Sequence, residues 1–361
     1  MQSIPYMQIR GGSSKGLYFL ASDLPSDKAK RSQVILDAVG RDTRQIDGLG
    51  GAHPLTSKVA IVSPSQHADC DVDYLFMQVV VGEDRVDTSP NCGNILAGVG
   101  AFAIESGLIE AKTEVTTVRV HMLNSGNRCD LDIQTPEGRV LYEGDAVIDG
   151  VPGTAAPVIC NYQDIAGSIT GALLPTGRVR DTFAGVEVTC IDNGMPVVVL
   201  RAQDLGISGY ESVDALNAHE TLKAKLEVIR LAAGSAMNLG DVTDKVVPKM
   251  CLIAPPQHDG HVSTRTFIPQ VCHSSIGVLG AVSVATACAL AGSMGNDIAS
   301  IPDGQIKRLS VEHPSGEFSM TLTFDEHGNV TKAGLLRTAR LLAKGELYVP
   351  ELTPTARGVM E

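Results

Sequence analysis

The stretch S-P-N-C-G-N-I-L-A-G-V-G-A-F-A-I, residues 89–104, joins a polar turn around Cys92 to a run of small apolar residues. A helix over 94–107 would carry almost no charge on any face, so it must be buried. A helix start presents free N–H groups and partial positive charge, which favour a thiolate and also bind carboxylates. Cys92 could instead be a small buried residue at a turn. Its polar neighbours and Gly93, which lets a ligand approach the backbone, favour a functional thiol.

A second segment resembles the first. The residues N-C-G-N-I-L-A-G-V-G-A (91–101) match H-S-S-I-G-V-L-G-A-V-S (273–283), where another uncharged helix is predicted over 275–293. Three further pairs of similar segments occur in the same order, at offsets of 182 to 191 residues. They are centred on Gly12 and Gly194, on Lys58 and Lys249, and on Gly126 and Gly316. Four matches in one order predict an internal duplication.

The duplication and the many short β-type segments bounded by Gly, Pro, Asn or Asp predict an α+β fold. We expect two lobes, each a curved, mostly antiparallel sheet wrapped around a buried central helix. The N-terminal lobe, residues 1–180, carries Lys58 and Cys92, and the C-terminal lobe, residues 181–361, carries the pseudo-symmetric half of a cleft. The N-terminal ends of the two buried helices are expected to face each other across that cleft. Further helices are predicted over 26–39 and 212–234.

Composition narrows the class of protein. The formal net charge of −12 argues against nucleic acid and anionic membranes as partners. No apolar run reaches the ~18 residues that a membrane span needs, and no signal peptide precedes the first strand-like segment. The eight cysteines are scattered without a C-x-x-C pair, which suits free thiols in a reducing compartment. We therefore expect a soluble cytoplasmic enzyme.

Lys58 lies in G-G-A-H-P-L-T-S-K-V-A-I-V, residues 50–62, directly before an apolar strand. A lysine in this position often stays in solvent at the edge of the sheet. In an apolar pocket it can instead move protons, because desolvation favours the neutral amine. Lys249 occupies the matching strand start in the second half, so one lysine could be catalytic and the other could anchor a carboxylate.

Three glycine-rich turns, at 10–16, 124–127 and 313–316, resemble anion-binding nests. The first is not a Walker loop, because the spacing G-x-x-x-x-G-K-[ST] is missing, and Ser-Gly turns are also common without any ligand. His53, His273 and Arg265 are further candidates for binding carboxylates. The histidine spacing does not predict a metal site, and neither a G-x-S-x-G elbow nor a dinucleotide fingerprint is present. The complete set of candidate substrate-binding residues is Arg10, Gly12, Ser13, Ser14, Lys15, His53, Ser57, Asn91, Gly93, Asn94, Ser125, Gly126, Asn193, Met195, Lys249, Arg265, His273, Ser274, Ser275, Ser315 and Gly316.

Four of these segments together resemble the PrpF family, a branch of the diaminopimelate-epimerase-like fold. They are R-G-G-S-S-K-G (10–16), G-G-A-H-P-L-T-S-K-V-A-I-V (50–62), N-C-G-N (91–94) and E-H-P-S-G (312–316). The likeness spans essentially the whole chain. The family contains methylaconitate isomerases, methylitaconate isomerases and 4-oxalomesaconate isomerases or tautomerases. This sequence most resembles the 4-oxalomesaconate tautomerases of gallate degradation.

The resemblance also shows a departure. Epimerases of this fold use two facing cysteines, but here Ser274 stands at the second position, and a serine hydroxyl cannot replace a thiol as acid or base. Two-thiol racemisation is therefore disfavoured. The family pattern instead implies that Lys58 and Cys92 transfer the protons, in either order.

The activity implied by the resemblance is a cofactor-free proton shift on an unsaturated di- or tricarboxylic acid. Keto–enol tautomerisation of 4-oxalomesaconate is the main expectation. The alternatives are 2-methylaconitate cis-trans isomerase, methylitaconate Δ-isomerase, a phenazine-biosynthesis-like member of the fold, and a non-catalytic polycarboxylate-binding protein. No metal is expected, the partner is the small polycarboxylate substrate, and a homodimer is left open.

Overall fold

The structure is a computed structural model that describes residues 1–88, 91–163, 165–326 and 330–351. It contains two compact units. Unit 1 comprises Met1–Asn161 together with the segment from Leu336 onward, and unit 2 comprises Tyr162–Leu335.

Among the described residues, strands outnumber helices in both units. They are β1 (Gln2–Gly11), β2 (Ser14–Leu20), β3 (Lys58–Pro64), β4 (Val72–Val79), β5 (Val86–Asp87), β6 (Glu114–Met122), β7 (Arg128–Thr135), β8 (Pro157–Gln163), β9 (Asp181–Phe183), β10 (Val186–Asp192), β11 (Pro196–Arg201), β12 (Lys249–Ala254), β13 (Val262–Phe267), β14 (Ile306–His313), β15 (Gly316–Phe324) and β16 (Val330–Val349). The α-helices are α1 (Lys28–Val39), α2 (Gly93–Leu96), α3 (Val99–Glu105), α4 (Val213–Asn217), α5 (Glu220–Ala236) and α6 (Val278–Ala289). Within the described residues, no helix is both long and apolar enough to cross a membrane.

The two units repeat one pattern of strand pairing. In unit 1, β1–β2, β3–β4 and β6–β7 are antiparallel, whereas β2–β3 and β4–β6 are parallel. In unit 2, β10–β11, β12–β13 and β14–β15 are antiparallel, whereas β11–β12 and β13–β14 are parallel. The same alternation occurs twice, with antiparallel pairs in the majority. The predicted α+β duplication is confirmed.

Each unit contains one buried helical segment where the sequence predicted it. Residues Gly280 to Cys288 of α6 are all buried, and α6 carries no charged side chain. The first segment, predicted as one helix, consists of α2 and α3, with Ala97 and Gly98 in right-handed helical conformation between them. α2 and α3 contact β1, β2, β3, β6 and β7, so the sheet of unit 1 surrounds them.

A second helix covers the opposite face of each sheet. Leu17 and Phe19 of β2 join the core under α1, while Tyr18 between them bonds to Ile95 of α2. Because alternate residues of a strand point to opposite faces, α1 and α2 lie on opposite sides of this sheet. In unit 2 the core under α5 includes Met250 and Leu252. The sequence predicted one helix over 212–234, but this segment is α4 followed by α5, where the His219 side chain accepts the N–H of Leu222.

The boundaries of the units differ from the expected 1–180 and 181–361. Residues 165–171 belong with unit 2, because Ile169 and Thr170 donate their N–H groups to the Asp192 carboxylate at the end of β10. The segment from Leu336 belongs with unit 1, because β16 pairs along the whole length of β1. Contacts between residues that are distant in sequence decide both boundaries.

Gly98 and Gly280 occupy equivalent positions in the two buried helical segments, and their surroundings show how closely each segment packs. A methyl group on Gly98 would collide with the Tyr18 hydroxyl and would lie 3.0 Å from Ile9, whereas one on Gly280 would lie 3.7 Å from Ile276. Gly98→Ala should therefore lower the free energy of unfolding by about 1–3 kcal/mol through overpacking. Gly280→Ala should be neutral or should raise it by up to about 1 kcal/mol, because alanine favours helix.

Urea unfolding followed by far-UV circular dichroism measures both effects, since the chain has no tryptophan. Equal destabilisation by the two substitutions would contradict this packing difference.

Candidate active site

Cys92 differs from every other cysteine of the chain. The other seven are buried, whereas Cys92 is half-buried. It precedes α2 in extended conformation, with φ −135° and ψ 99°, and its carbonyl accepts the N–H of Leu96 at 3.0 Å. The Tyr74 hydroxyl donates to the same carbonyl at 3.3 Å. These bonds place the thiol at the start of the buried helical segment, as the sequence predicted.

Lys58 lies beside this thiol. Its Nζ is 3.5 Å from Cys92 Sγ and 5.2 Å from the centroid of the Phe76 ring. The parallel register pairs Lys58 with Gly16, where a methyl group would lie 2.7 Å from the Lys58 carbonyl and 3.1 Å from Ile95. Glycine at this position therefore lets β2, β3 and α2 converge where the amine and the thiol meet.

The aromatic residues around the pair were missed by sequence reasoning. Tyr74 and Phe76 alternate along β4 and point to the same face of the sheet, and both are almost completely buried. Tyr18, on β2, donates its hydroxyl to the Ile95 carbonyl at 2.6 Å. Burial, and next the proximity of Cys92, raises the pKa of Tyr18 well above its usual value. The alternation of aromatic residues in Y-L-F, residues 74–76, was the sequence signal that could have identified them.

The first glycine-rich turn packs onto α2. Arg10 donates to the Gly12 carbonyl at 2.9 Å and to the carbonyl and hydroxyl of Thr338 at 3.2 and 2.9 Å. Gly12 has φ +52°, and a side chain there would collide with Asn94. Asn94 in turn donates to the Ser13 hydroxyl at 3.2 Å. The structure thus brings Arg10, Gly12 and Ser13 close to Asn94, which lies two residues after Cys92 in the sequence.

Two polar atoms of this region are buried without a partner among the described residues. They are the Ser14 hydroxyl and the Asn91 side-chain oxygen. Leaving such an atom unsatisfied costs about 1–3 kcal/mol. Such an atom is available to form a hydrogen bond with a polar ligand or with water.

The predicted residues before β3 have mainly local bonds. His53 is exposed and accepts the N–H of Leu55, while its carbonyl accepts the Ser57 hydroxyl at 2.9 Å. Ser57 is fully buried and also donates to the Gln45 side chain at 2.8 Å. Lys15 donates its backbone N–H to the Leu55 carbonyl. These bonds hold the segment that leads into Lys58.

Ser125 and Gly126 form the exposed turn between β6 and β7. The neighbouring Asn124 fastens this turn to β4, because its side chain accepts the N–H of Phe76 and donates to the Phe76 and Thr88 carbonyls. No described contact joins Ser125 or Gly126 to Cys92. Among the described contacts, Asn124 is therefore the residue that links this turn to Phe76, whose ring lies under Lys58.

In unit 2 the structure brings four predicted residues together. His273 accepts the N–H of Ser275 at 2.8 Å, and the Ser275 hydroxyl lies 3.3 Å from Nε2 of His313. The other ring nitrogen of His313 lies 3.3 Å from the Ser315 hydroxyl. Ser274 is exposed between His273 and Ser275. The segment before α6 and the turn from β14 to β15 are thereby joined by polar side chains.

The other candidates of unit 2 have different surroundings. The Asn193 side chain bonds to Thr286 within the core, and the Met195 carbonyl accepts the Ser283 hydroxyl. Arg265 donates to the carbonyls of Glu211 and Thr264. Gly316 adopts φ +144° in the turn before β15. Burial, and next the positive charge of Arg230, lowers the pKa of Lys249 to about 8.

Burial disfavours the thiolate form of three other cysteines of the chain. Burial raises the pKa of Cys272 to about 11 and those of Cys190 and Cys251 to about 12. These groups remain neutral thiols at physiological pH. Within the described residues, no group of three or more His, Cys, Asp or Glu side chains is arranged to hold a metal ion.

Known proteins resemble this chain over almost its whole length. The family model described as PrpF protein matches residues 1–350. A (4E)-oxalomesaconate Delta-isomerase from Novosphingobium sp. (strain KA1) is 56% identical over 350 residues, which cover 97% of this chain and 98% of the relative. A 4-oxalomesaconate tautomerase from Pseudomonas putida is 56% identical over 347 residues, 96% of each chain.

The crystal structure of a methylitaconate-delta-isomerase matches with a TM-score of 0.89 at 34% identity, over 96% of each chain. This likeness confirms the fold predicted from the sequence. The whole-chain family match and the two relatives at 56% identity show that the chain belongs to the PrpF family.

Proposed function

We propose that this protein is a cofactor-independent tautomerase that converts the keto form of 4-oxalomesaconate to its enol, with Lys58 and Cys92 transferring the proton. The observation that carries the proposal is the 3.5 Å separation of Lys58 Nζ from Cys92 Sγ at a half-buried position. Relatives at 56% identity that are named for oxalomesaconate support the choice of substrate.

The substrate offers one activated carbon. A methylene group lies between its ketone and its unsaturated acid, so loss of a methylene proton produces a dienolate. One group of the pair takes this proton, and the other delivers a proton to the ketone oxygen. Either order balances: an amine base with a thiol acid, or a thiolate base with an ammonium acid. A direct transfer over the 3.5 Å between the two atoms would then restore the starting protonation states.

The surroundings of the pair suit this chemistry. Backbone N–H groups at the start of α2 lack intrahelical acceptors and can stabilise developing negative charge. The Ser14 hydroxyl and the Asn91 side-chain oxygen can form hydrogen bonds with a polar substrate. These groups would hold the dienolate while the proton moves.

We place the reaction in the cytoplasm and in the degradation of gallate, the role of the tautomerases that the sequence resembles. Eight free cysteines are consistent with a reducing compartment.

A second candidate reaction is an allylic Δ-isomerisation. It is favoured by a 56%-identical relative that is named a Delta-isomerase and by the likeness to the methylitaconate-delta-isomerase structure. The same dienolate would form, but the acid would protonate carbon instead of oxygen. The two reactions therefore differ in the destination of the proton and not in the acid and base.

The first prediction concerns the two proton-transfer groups. Cys92→Ser and Lys58→Met should each lower kcat by at least ~100-fold, because each removes a general acid or base. A spectrophotometric assay of 4-oxalomesaconate tautomerisation measures the loss. Matched controls are Cys70→Ser and Lys28→Met, which change residues outside the site and should retain activity. Near wild-type turnover by either site variant would refute the mechanism, and an inactive wild type that still binds tricarboxylates would indicate a binding protein.

The second prediction distinguishes the two reactions. In deuterated solvent, a tautomerase should exchange one of the two methylene hydrogens of the keto form stereospecifically, because one base acts from one side. Proton NMR measures the exchange against an enzyme-free sample and against Cys92→Ser. Deuterium on a newly saturated carbon would instead establish the Δ-isomerase, and product formation without any exchange from solvent would count against both.

The third prediction concerns the ring beneath Lys58. Phe76→Met preserves most of the volume but removes the cation–π contact, which is worth roughly 0.5–2 kcal/mol, so kcat should fall by about 2- to 30-fold. Phe76→Tyr retains the aromatic face and should retain activity. Melting temperatures of both variants separate this effect from a loss of stability, and equal activity of the two would contradict a role for the ring.

A further inference from the structure

Lys58 and Cys92 are close enough to react with each other. Lys58 Nζ lies 3.5 Å from Cys92 Sγ, a separation at which two reacting atoms are poised for attack. The backbone of Lys58 is held in β3 by pairing with Gly16 and Gln78, but the four-carbon side chain can rotate. The nitrogen can therefore approach the sulfur without any change in the sheet.

Cys92 is also the cysteine that an oxidant can reach. It is half-buried, whereas the other seven cysteines are buried. Oxidation of a cysteine to sulfenic acid depends on the accessibility of its sulfur. The sulfenic acid is electrophilic at sulfur and condenses with a neighbouring thiol or nitrogen. The group beside Sγ therefore decides the product of oxidation.

The described neighbour of Cys92 Sγ is an amine and not a thiol. None of the described hydrogen bonds joins Cys92 Sγ to another cysteine, whereas the Lys58 amine is in contact with it. Cys129 provides the contrast, because its side chain forms a hydrogen bond with Cys160, and these two residues are 0% and 1% exposed. Among the described residues, a shielded sulfur–sulfur pair thus contrasts with a partly accessible sulfur–nitrogen pair.

We propose that hydrogen peroxide joins Lys58 to Cys92 through a reversible sulfenamide bond between Nζ and Sγ. Sγ attacks one peroxide oxygen, the O–O bond breaks, and the thiol becomes a sulfenic acid while the other oxygen leaves as water. The neutral amine then attacks Sγ, the S–O bond breaks, and the departing hydroxyl takes a proton from the nitrogen and leaves as a second water. Sulfur is oxidised by two electrons, and the peroxide is reduced.

The bond occupies both proton-transfer groups at once. Turnover stops while the bond lasts; this consequence rests on the proposed function, whereas formation of the bond does not. The bond also protects Sγ from irreversible oxidation to sulfinic and sulfonic acid. Two thiol groups of a reductant reverse it, because they release the amine and the Cys92 thiol and become a disulfide themselves. The pair is therefore a peroxide-sensitive switch.

Tryptic peptide mapping after treatment with hydrogen peroxide tests the bond directly. Without oxidation, trypsin cleaves after Lys58 and Arg85, and Cys92 lies in the peptide 86–112. The sulfenamide should block cleavage after Lys58 and link the peptide 45–85 to 86–112, with a mass two hydrogen atoms below the sum of the two peptides. Dithiothreitol should restore the separate peptides.

A disulfide between Cys92 and Cys70 is the alternative product, because it removes the same two hydrogen atoms. It would leave the chain after Lys58 open to trypsin, and Cys70→Ser would abolish it. The sulfenamide should instead persist in Cys70→Ser. Absence of the linked peptide from oxidised wild type and Cys70→Ser, or a link to 86–112 that survives in Lys58→Met, would overturn the proposal.

Lys58→Met also tests the protection of the sulfur. Without the amine, peroxide should convert Cys92 to sulfinic acid, which dithiothreitol does not reduce, whereas the wild type should recover its free thiol. Lys28→Met, which changes an exposed lysine on α1, is the matched control and should recover like the wild type. Equal recovery of the Cys92 thiol in wild type and a folded Lys58→Met, checked by circular dichroism, would contradict the protection.

These measurements use peroxide and reductant alone, without a substrate. A linked peptide in a protein that does not turn over 4-oxalomesaconate would leave the bond established and the proposed function wrong. Turnover by a protein that forms no linked peptide would have the opposite meaning.

Discussion

A helix with almost no charged side chains cannot be exposed to water, and this constraint organises both units. The buried segment in each unit is covered by a sheet that contacts it through several strands. Close approach needs small residues, and Gly98 lies against Tyr18 for this reason. The same packing lets the Tyr18 hydroxyl donate a hydrogen bond to the Ile95 carbonyl of α2. Burial of the helix therefore also determines what surrounds its first residue.

The position of Cys92 follows from this burial. A helix start that is partly accessible exposes backbone N–H groups, and strand β3 begins beside it. Lys58 is the first residue of that strand, so its side chain reaches the thiol without crossing the core. Phe76 and Tyr74 come from the adjacent strand and fix the amine and the Cys92 backbone respectively. Lys58 Nζ and Cys92 Sγ are therefore close to each other because α2 and β3 begin side by side.

The sequence predicted this coincidence only in part. Periodicity and the repeat located the buried helices, the duplication and the candidates Lys58 and Cys92, because these depend on local composition. These sequence signals could not predict that Arg10 donates hydrogen bonds to Thr338. The two residues are 328 positions apart, and the pairing of β1 with β16 brings them together. The unit boundaries likewise depend on contacts between residues that are distant in sequence. Asn193 and Arg265 lie in turn and strand patterns like those of ligand-binding residues, yet their bonds are internal.

Duplication followed by divergence explains how one fold can hold different chemistry in its halves. Lys58 and Lys249 begin equivalent strands, but only Lys58 has a thiol beside it, because the counterpart of Cys92 is Ser274. A serine hydroxyl is too weak an acid to share a proton with an amine near neutral pH. The amine–thiol pair that we propose for proton transfer is therefore seen at Lys58 and has no counterpart at Lys249. The equivalent helix start in unit 2 is linked through Ser275 to His313, and these side chains form hydrogen bonds but present no thiol.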